Sequence, residues 1–474
     1  MKKTILTTLL SAVTLITVAQ INYAAQLKNA TNYASIESAF VRLSNASGHW
    51  TTYSTPNGSI QFDNLANGTY TIAIHHTAFQ TYIDTIRVGQ ETNGGFFFLI
   101  PDMAYLDAAV ITTVRAQNST PTTYTDIKKK EIEQLDQSKD FPFLLITTPS
   151  TVISSDAGNG VGYTGVRIRG IDPTRVNITV NGIPINDAES QGMYWVNMPD
   201  IASSTQSVQI QRGVGTSTNG AAAFGGSVNI RTNDLSKEKN TQISLGTGSF
   251  NTQRVSLLHN SGRLKKNWAF QLRGSLIQSD GFIDRASSEL KSANIVVAKY
   301  WEKSVFKTNI MLGSERTYQA WWGIPEPTFK ENTGEENRYI NQLGIVGDDL
   351  ANLQRSNSKT YNYYTYENQV DNYNQNHYQF FFDHTITDYT KLNTAVYATT
   401  GRGYYEQYRP REEYAAYGID SVQPTGDTAL AGNLIRRRWL DNTLLGAIAN
   451  VTHRKNRFET LVGGGYSDYR GRHF

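Results

Sequence analysis

Two short patterns in this sequence contain residue types that could do chemistry. Residues 160–165 have the glycine spacing of a dinucleotide-binding loop. Such a loop needs a helix immediately after it, because the helix N-terminus receives the pyrophosphate. The residues that follow favour a strand instead. His75 and His76 are possible metal ligands, but neighbours on a strand point to opposite faces, so we expect no metal there.

The composition excludes most other chemistry. The sequence contains no cysteine, which removes thiol catalysis, disulfides and thiolate metal sites. It also lacks a Walker lysine, a zincin helix and a nucleophile elbow. The net charge of +3 is too small to indicate a nucleic-acid partner. We therefore expect no catalytic residue, no metal and no cofactor, and we expect that the protein is not an enzyme.

The first 25 residues are predicted to be a secretory signal peptide for Sec-dependent export. Lys2 and Lys3 precede an apolar stretch at 4–18 that is too short to span a bilayer, and small residues at 19, 24 and 25 offer cleavage points. A first core helix is the alternative. No later run of about 18 apolar residues occurs. If the mature protein spans a membrane, it must do so as a closed barrel.

Residues 26–101 are predicted to form a small β-sandwich. Short strand-like runs alternate with strong turn signals at 56–58 and 66–68. The pattern resembles the carboxypeptidase-regulatory-like domain, above all at 62–70. That resemblance implies a fold and no catalytic residues.

Residues 236–474 alternate between apolar and polar positions, which predicts antiparallel strands. In the clearest strand, Trp268, Phe270 and Leu272 share one face while Gln271 and Arg273 share the other. Period-two alternation also fits a soluble sandwich. The connections favour part of a barrel, with about nine strands in this chain, since short turns and long loops alternate along it. The short turns are 261–266, 302–305, 387–390 and 453–456, and the long loops are 280–291, 317–373 and 404–440.

Four glycine-rich motifs lie between these regions, at 166–170, 180–187, 208–215 and 220–232. Short strands separated by glycine turns would make a compact domain. In order and spacing the motifs resemble the plug domain of TonB-dependent outer-membrane receptors, an α/β domain placed here at 123–235. The residues that carry the resemblance are Arg167, Gly170, Asn181, Gly182, Pro184, Gly213, Gly225, Gly226 and Asn229.

With its linker and later strands, the resemblance extends from about residue 102 to 474. The domain that precedes the plug fits receptors of Bacteroidetes-like bacteria. Two departures are small: Asn181 stands where aspartate is common, and Val214 stands where proline is common. The expected architecture is mainly β: a sandwich, a plug, and part of a transmembrane barrel of about 22 strands.

The resemblance assigns a partner-binding role to the linker at 102–122. One segment matches the TonB box, the peptide that the inner-membrane TonB protein grasps. Its high strand propensity would let it add to the edge of a partner sheet. An ordinary linker strand is the alternative. The segment consists of Asp107, Ala108, Ala109, Val110, Ile111, Thr112 and Thr113.

The resemblance also implies a lock between plug and barrel. Arg169 and Arg212 match plug arginines that pair with glutamates of the barrel wall. A buried arginine needs such a partner, because an unpaired buried charge costs several kcal/mol. The partners of these arginines can lie beyond this chain.

Two apical plug loops, 156–164 and 184–197, are implied to form a ligand floor, and an outer loop can line the same vestibule. Polar groups beside aromatic rings suit a small polar or aromatic chelate. The alternative for each residue is loop packing. The expected ligand contacts are Asn159, Tyr163, Asp187, Glu189, Gln191, Tyr194, Trp195, Trp321 and Trp322.

The resemblance therefore implies TonB-dependent import of a scarce solute across the outer membrane of a Gram-negative bacterium. A ferric chelate is the favoured cargo. Cobalamin, heme and glycans are the other cargoes. A surface adhesin, a signal transducer and a passive porin are the other functions. We also expect that the chain is truncated, since a barrel of about 22 strands needs more than roughly 400 residues after the plug. Asp468, Arg470 and Arg472 would put charges on the lipid face that Phe474 shares.

Overall fold

A computed structural model describes residues 21–30, 33–76, 79–89, 95–100, 114–116, 120, 122–135, 138–215, 223–419, 430–455 and 457–474. The chain divides into two compact units, Met1–Tyr105 and Leu106–Phe474.

The first unit is a β-sandwich of seven strands in two sheets. One sheet has the strand order β4-β1-β7 and the other the order β3-β2-β5-β6. Tyr70, Leu43 and Leu27 lie in the shared core, where alternating residues of both sheets meet. The strands are β1 (Ile21–Asn29), β2 (Phe40–Asn45), β3 (Gly48–Tyr53), β4 (Ser59–Leu65), β5 (Gly68–His76), β6 (Phe79–Val88) and β7 (Phe96–Leu99).

The start of this sandwich bears on the predicted signal peptide. Residues 21–25, which the sequence assigns to the signal, form the first half of β1, with Tyr23 and Ala25 buried. Small residues allow cleavage at several positions. A cleavage site near Ala19 would leave β1 whole, whereas cleavage near Ala25 would remove half of it.

The second unit begins with a plug built on a five-stranded sheet of order β12-β11-β14-β13-β8, beside the hairpin β9–β10. Strands β11 and β14 run parallel, and the other pairs are antiparallel. The elements are β8 (Tyr124–Lys128), α1 (Lys129–Leu135), β9 (Thr151–Ser155), β10 (Thr164–Ile168), β11 (Val176–Val180), β12 (Ile183–Pro184), β13 (Thr205–Arg212) and β14 (Gly226–Thr232).

Turn chemistry shapes the plug as the sequence predicts. Asn181 and Gly182 join β11 to β12 with φ values of 55° and 81°. Asparagine and glycine tolerate this left-handed region, which a two-residue hairpin turn requires. A strand, β10, follows residues 160–165, so no helix is available there to receive a pyrophosphate.

The rest of the second unit is a nine-stranded antiparallel sheet in sequence order, called the wall below. Its first and last strands do not pair with each other within the described chain. The strands are β15 (Lys239–Gly248), β16 (Thr252–Ser261), β17 (Trp268–Ser279), β18 (Ser288–Tyr300), β19 (Ser304–Tyr318), β20 (Val370–Thr387), β21 (Thr390–Glu413), β22 (Ala431–Lys455) and β23 (Phe458–His473).

The two faces of the wall differ in polarity. The face against the plug carries buried polar side chains such as Gln271, Arg273 and Gln379. The other face exposes apolar side chains such as Ile243 and Leu245, which are 67% and 76% exposed. So extensive an exposed apolar surface is typical of contact with lipid.

An aromatic and basic group marks one border of the apolar face. Lys299 lies 5.5 Å from the ring of Trp268 and 5.7 Å from that of Trp301. Tryptophan and lysine prefer the boundary between lipid and water. Within the described residues, no helix is both long enough and apolar enough to cross a membrane.

The connections of the wall confirm the predicted alternation but correct one loop. Short turns such as 301–303 and 388–389 occupy one end, and a long connection with three helices lies between β19 and β20. The predicted loop at 404–440 is wrong, because β21 and β22 continue through much of it, with 24 and 25 residues. The three helices are α2 (Glu326–Phe329), α3 (Thr333–Leu343) and α4 (Gly347–Arg355).

Plug and wall approach each other closely at Gly313 of β19. A Cβ atom there would lie 2.3 Å from the carbonyl oxygen of Asn197 and 3.1 Å from Pro199. Real carbon–oxygen contacts never become this short, so only glycine fits without movement. The plug is therefore seated against the wall backbone at this position.

We predict that Gly313→Ala displaces the plug segment around Asn197. The added methyl group should cost about 1–3 kcal/mol, the usual penalty for overpacking. Hydrogen exchange at residues 195–200 of the folded chain measures the effect. The control is Gly274→Ala in β17, where a Cβ meets nothing within 4 Å. Equal protection from hydrogen exchange in both variants would contradict the close fit at Gly313.

Candidate functional site

Four aromatic side chains form a continuous group between plug and wall, called the aromatic floor below. The ring of Tyr163 lies 6.5 Å from Tyr194 and 5.6 Å from Trp321. The ring of Trp321 lies 5.8 Å from Tyr405 of β21. Tyr194 and Trp321 are 43% and 37% exposed, so the group offers open ring surface to a ligand.

A positive charge borders the aromatic floor. The Arg438 guanidinium of β22 donates a hydrogen bond to the Tyr405 hydroxyl at 3.1 Å. It also lies 6.0 Å from the Tyr405 ring. Aromatic rings beside an arginine can bind a molecule that combines flat rings with negative charge.

Buried polar contacts hold Tyr163 in place. Its hydroxyl donates to the Asp371 carboxylate of β20. Burial first, and then the nearby Asp371 charge, holds the pKa of Tyr163 well above its ordinary value. The hydroxyl therefore stays protonated and remains a donor at neutral pH.

Asp140 supports the loop that carries Tyr163. The Thr164 hydroxyl donates to the Asp140 carboxyl group at 3.1 Å, and the Asp140 amide donates to the Gly160 carbonyl at 2.8 Å. Burial raises the pKa of Asp140 from 3.8 to about 8, while hydrogen bonds from Thr164 and Gly162 oppose the shift. The plug therefore holds a neutral carboxyl group beneath the aromatic floor at neutral pH.

Three predicted contacts in the loop 184–197 have other roles. Asp187 accepts hydrogen bonds from the Glu189 amide, the Ser190 amide and the Ser190 hydroxyl. Gln191 donates to the Ala188 carbonyl at 2.7 Å. The Glu189 carboxylate lies 2.7 Å from His473 of β23. These side chains shape the loop or attach it to the wall.

The remaining predicted contacts divide between core, interface and surface. Trp195 is only 3% exposed and stacks on Phe141 at 4.6 Å, so a ligand cannot reach it in this arrangement. Trp322 packs against Tyr363 and not against the aromatic floor. Asn159 donates to the Ser279 hydroxyl of β17 at 2.7 Å, which joins plug and wall.

The main charged contact between plug and wall is centred on Asp200. Its carboxylate lies 2.7 Å from the Arg254 guanidinium of β16 and 2.8 Å from the Arg273 guanidinium of β17. The three side chains are 2%, 7% and 3% exposed, respectively. Arg254 also bonds Ser203, and Arg273 donates to Ser204 at 2.7 Å. We call this group the Asp200 lock.

The Asp200 lock has the opposite polarity to the one the sequence predicts. The expected plug arginines pair with no acidic wall residue within the described parts of the chain. Arg212 donates to the Thr125 hydroxyl at 2.8 Å inside the plug. Arg169 lies in the left-handed region with φ of 54°, beside Gly213. Here the plug supplies the carboxylate and the wall supplies the arginines.

Neutral contacts complete the interface. The Asn181 amide donates to Gln379 at 3.2 Å, and Gln379 donates to the Val180 carbonyl at 3.3 Å. The Asn197 amide donates to Gln375 at 3.1 Å. These contacts give the motif residue Asn181 a function at the wall in addition to its turn.

The other motif residues serve the plug itself. Gly170, Gly182 and Gly213 have φ values of 73°, 81° and 93°. Gly226 lies where a Cβ atom would be 2.6 Å from the Gln211 carbonyl. The remaining residues are Arg167, which pairs with Asp172 at 3.9 Å, Pro184 in β12, Gly225 against Ile171, and Asn229 in β14.

Sequence reasoning missed Asp200, Arg254 and Tyr405. A usable signal existed for Arg254, because strand alternation puts it on the same face as the other polar wall residues. The predicted TonB box at 107–113 lies outside the described residues.

The comparisons with known proteins agree with this architecture. Residues 116–227 match the model of the TonB-dependent receptor plug domain. The vitamin B12 transporter BtuB of Vibrio cholerae serotype O1 is 27% identical over 154 residues, which are 32% of this chain and 24% of that protein.

Solved receptors share the fold of plug and wall. The ferric-catecholate import receptor Fiu of E. coli K12 gives a TM-score of 0.52 at 18% identity, over 73% of this chain and 47% of that chain. BauA, the ferric preacinetobactin receptor of Acinetobacter baumannii, gives 0.54 at 14% identity, over 75% and 48%. The chain thus spans slightly less than half the length of these receptors.

We predict that Asp200→Asn loosens the plug. The substitution leaves two buried guanidinium groups without their carboxylate, which should cost about 3–5 kcal/mol. Denaturant-dependent hydrogen exchange at residues 201–205 measures this loss. The control is Asp172→Asn, an exposed plug residue that lies 3.9 Å from Arg167 and accepts hydrogen bonds from Thr174, which an asparagine oxygen can still accept. If Asp200→Asn changed this exchange no more than the control does, the Asp200 lock would not stabilise the plug.

We also predict that the plug loses stability as the pH rises. The folded chain keeps the Asp140 proton up to a pH of about 8, whereas a carboxyl group with the ordinary pKa of 3.8 loses it earlier. The contribution of Asp140 is therefore complete below about pH 4 and declines as the pH rises toward 8. Urea midpoints at pH 5 and pH 9, values chosen on either side of the shifted pKa, should converge in Asp140→Asn. The exposed control Glu133→Gln should keep the wild-type difference.

Proposed function

We propose that this chain is the N-terminal part of a TonB-dependent receptor in the outer membrane of a Gram-negative bacterium. In this proposal it binds a ferric chelate on the aromatic floor and imports it. The plug domain family supports the receptor class. The apolar outer face of the wall and the shared fold support the membrane location.

The aromatic floor is the observation that carries the ligand class. Its rings, Tyr163, Tyr194, Trp321 and Tyr405, contact one another edge to face at the junction of plug and wall. Flat aromatic iron ligands would stack on these rings, and Arg438 would compensate their negative charge. The solved relatives Fiu and BauA are receptors for iron chelates by their descriptions, which is consistent with this choice.

The plug would release its ligand only when pulled. In the resting state the Asp200 lock and the contact at Gly313 hold the plug against the wall. We propose that TonB binds the segment at 107–113 by strand addition and draws on the linker. Energy would come from the inner membrane, and no nucleotide site is required.

Cobalamin is the second candidate ligand, because the matching curated relative is described as a vitamin B12 transporter. Cobalamin is a large corrinoid, so it would need a wider space than a catecholate. A binding assay with both probes separates the two candidates.

We predict two separable defects in the full-length protein. Tyr405→Ala should lower the affinity for an iron(III)–catecholate complex about tenfold, because one aromatic contact contributes about 1.4 kcal/mol. Deletion of residues 107–113 should abolish uptake of the same complex and leave its binding intact. Fluorescence quenching measures binding, and radioactive iron in cells measures uptake.

The matched control is Tyr404→Ala. Tyr404 precedes Tyr405 on β21 and points to the other face, where it packs on Trp439 at 4.8 Å. It should leave binding unchanged. Uptake that continues after the deletion would exclude TonB-driven import. Tight binding of cobalamin, without binding of the catecholate, would make cobalamin the ligand.

A further inference from the structure

A short linker segment, residues 114–116, is anchored to the plug by its central arginine. The Arg115 guanidinium donates to the Ser207 hydroxyl at 2.9 Å and to the Ser207 carbonyl at 3.1 Å. It also donates to the Asn229 carbonyl at 2.8 Å. Ser207 belongs to β13 and Asn229 to β14, so one planar group connects two paired strands.

Two glutamines of β13 hold the backbone on either side of Arg115. The Gln209 side chain accepts from the Ala116 amide at 2.7 Å and donates to the Ala116 carbonyl at 3.0 Å. The Gln211 side chain donates to the Val114 carbonyl at 2.8 Å. Gln209 and Gln211 also bond each other at 2.9 Å. We call these contacts, with those of Arg115, the tether clasp.

The tether clasp is buried, which gives its hydrogen bonds strength. Val114 and Ala116 are 7% and 9% exposed. Burial lowers the pKa of Arg115 to about 10, and the nearby Asp126 charge opposes this shift. Arg115 thus remains a cation at neutral pH. Three hydrogen bonds from a charged group in a dry site make a firm attachment.

The position of the tether clasp connects it with the proposed pull on the linker. It begins at residue 114, directly after the proposed partner-binding segment, and it ends on β13 and β14. Strand β13 pairs with β14 over seven register positions from Thr205 to Arg212, so a load on β13 passes into the plug sheet.

We infer that the tether clasp transmits tension from the linker directly into β13 and β14, with Arg115 as the positioning residue. This inference rests on the proposed function. Without the clasp, tension would first straighten residues 114–122 and would reach the plug at Thr123, whose carbonyl accepts from the Arg212 amide at 3.0 Å. With the clasp, tension reaches two strands at once. The tether clasp also limits strand addition by a partner to residues before 114.

Force spectroscopy on the chain in detergent tests this inference without ligand or TonB. The sequence has no cysteine, so Thr113→Cys and Val214→Cys provide unique handles. In the parent protein, the chain should begin to resist extension at residue 114. In Arg115→Ala and in Gln209→Leu, residues 114–122 should extend first, which releases roughly 30 Å of contour length at about 3.3–3.6 Å per residue.

Two further variants separate transmission from general stability. Arg115→Lys keeps the charge but not the planar group that reaches two strands, so it should also show the added extension. Lys130→Ala, an exposed residue of α1, should behave as the parent does. In the three clasp variants the added extension should come before β13 and β14 unfold, which separates it from a general loss of stability.

Equal extension in parent and variants would overturn the inference. A fast-exchanging Ala116 amide in the parent would do so as well, because that amide is held by Gln209 in the structure. Either result would leave the import proposal untouched, since deletion of 107–113 tests that proposal separately. If uptake continued after the deletion, the proposed pull by TonB would be excluded. The mechanical effect of the tether clasp could still be measured.

Discussion

The attraction between one plug carboxylate and two wall guanidinium groups is the central charged contact of the second unit. Asp200, Arg254 and Arg273 are all buried, so their charges interact with little screening by water. The same contact weakens steeply once water reaches it, because the dielectric constant rises. An ionic contact therefore combines firm seating with reversibility. A purely apolar interface of the same area would not respond to hydration in this way.

The remaining architecture serves this contact. The wall must present polar side chains to the plug and apolar side chains to the outside, and strand alternation provides both from one sequence. The plug must bring a carboxylate to the wall, and a left-handed residue, Asp200 with φ of 54°, achieves this. The aromatic floor lies on the same side of the wall. The aromatic floor and the Asp200 lock thus both belong to the interface between plug and wall, which Tyr163 crosses to reach Asp371.

Sequence reasoning succeeded where the signal was local. Period-two patterns identified the faces of β17, and the glycine-rich motifs indicated short plug strands separated by turns. It failed where partners are distant, since Asp200 meets Arg254 and Arg273 across 54 and 73 residues. Trp195 was misassigned because a polar loop sequence does not reveal its stacking on Phe141. The charged residues of β21 and β22 imitate a loop, because those strand ends lie beyond the apolar face and no longer need apolar side chains.

The close seating at Gly313 has an evolutionary consequence. The backbone of β19 and the turn at Asn197 and Pro199 leave no space for a single methyl group between them. A contact without spare volume can change only if both sides change together. Changes at position 313 and at 197–199 are therefore energetically coupled, and a larger residue at 313 alone would clash with its neighbour.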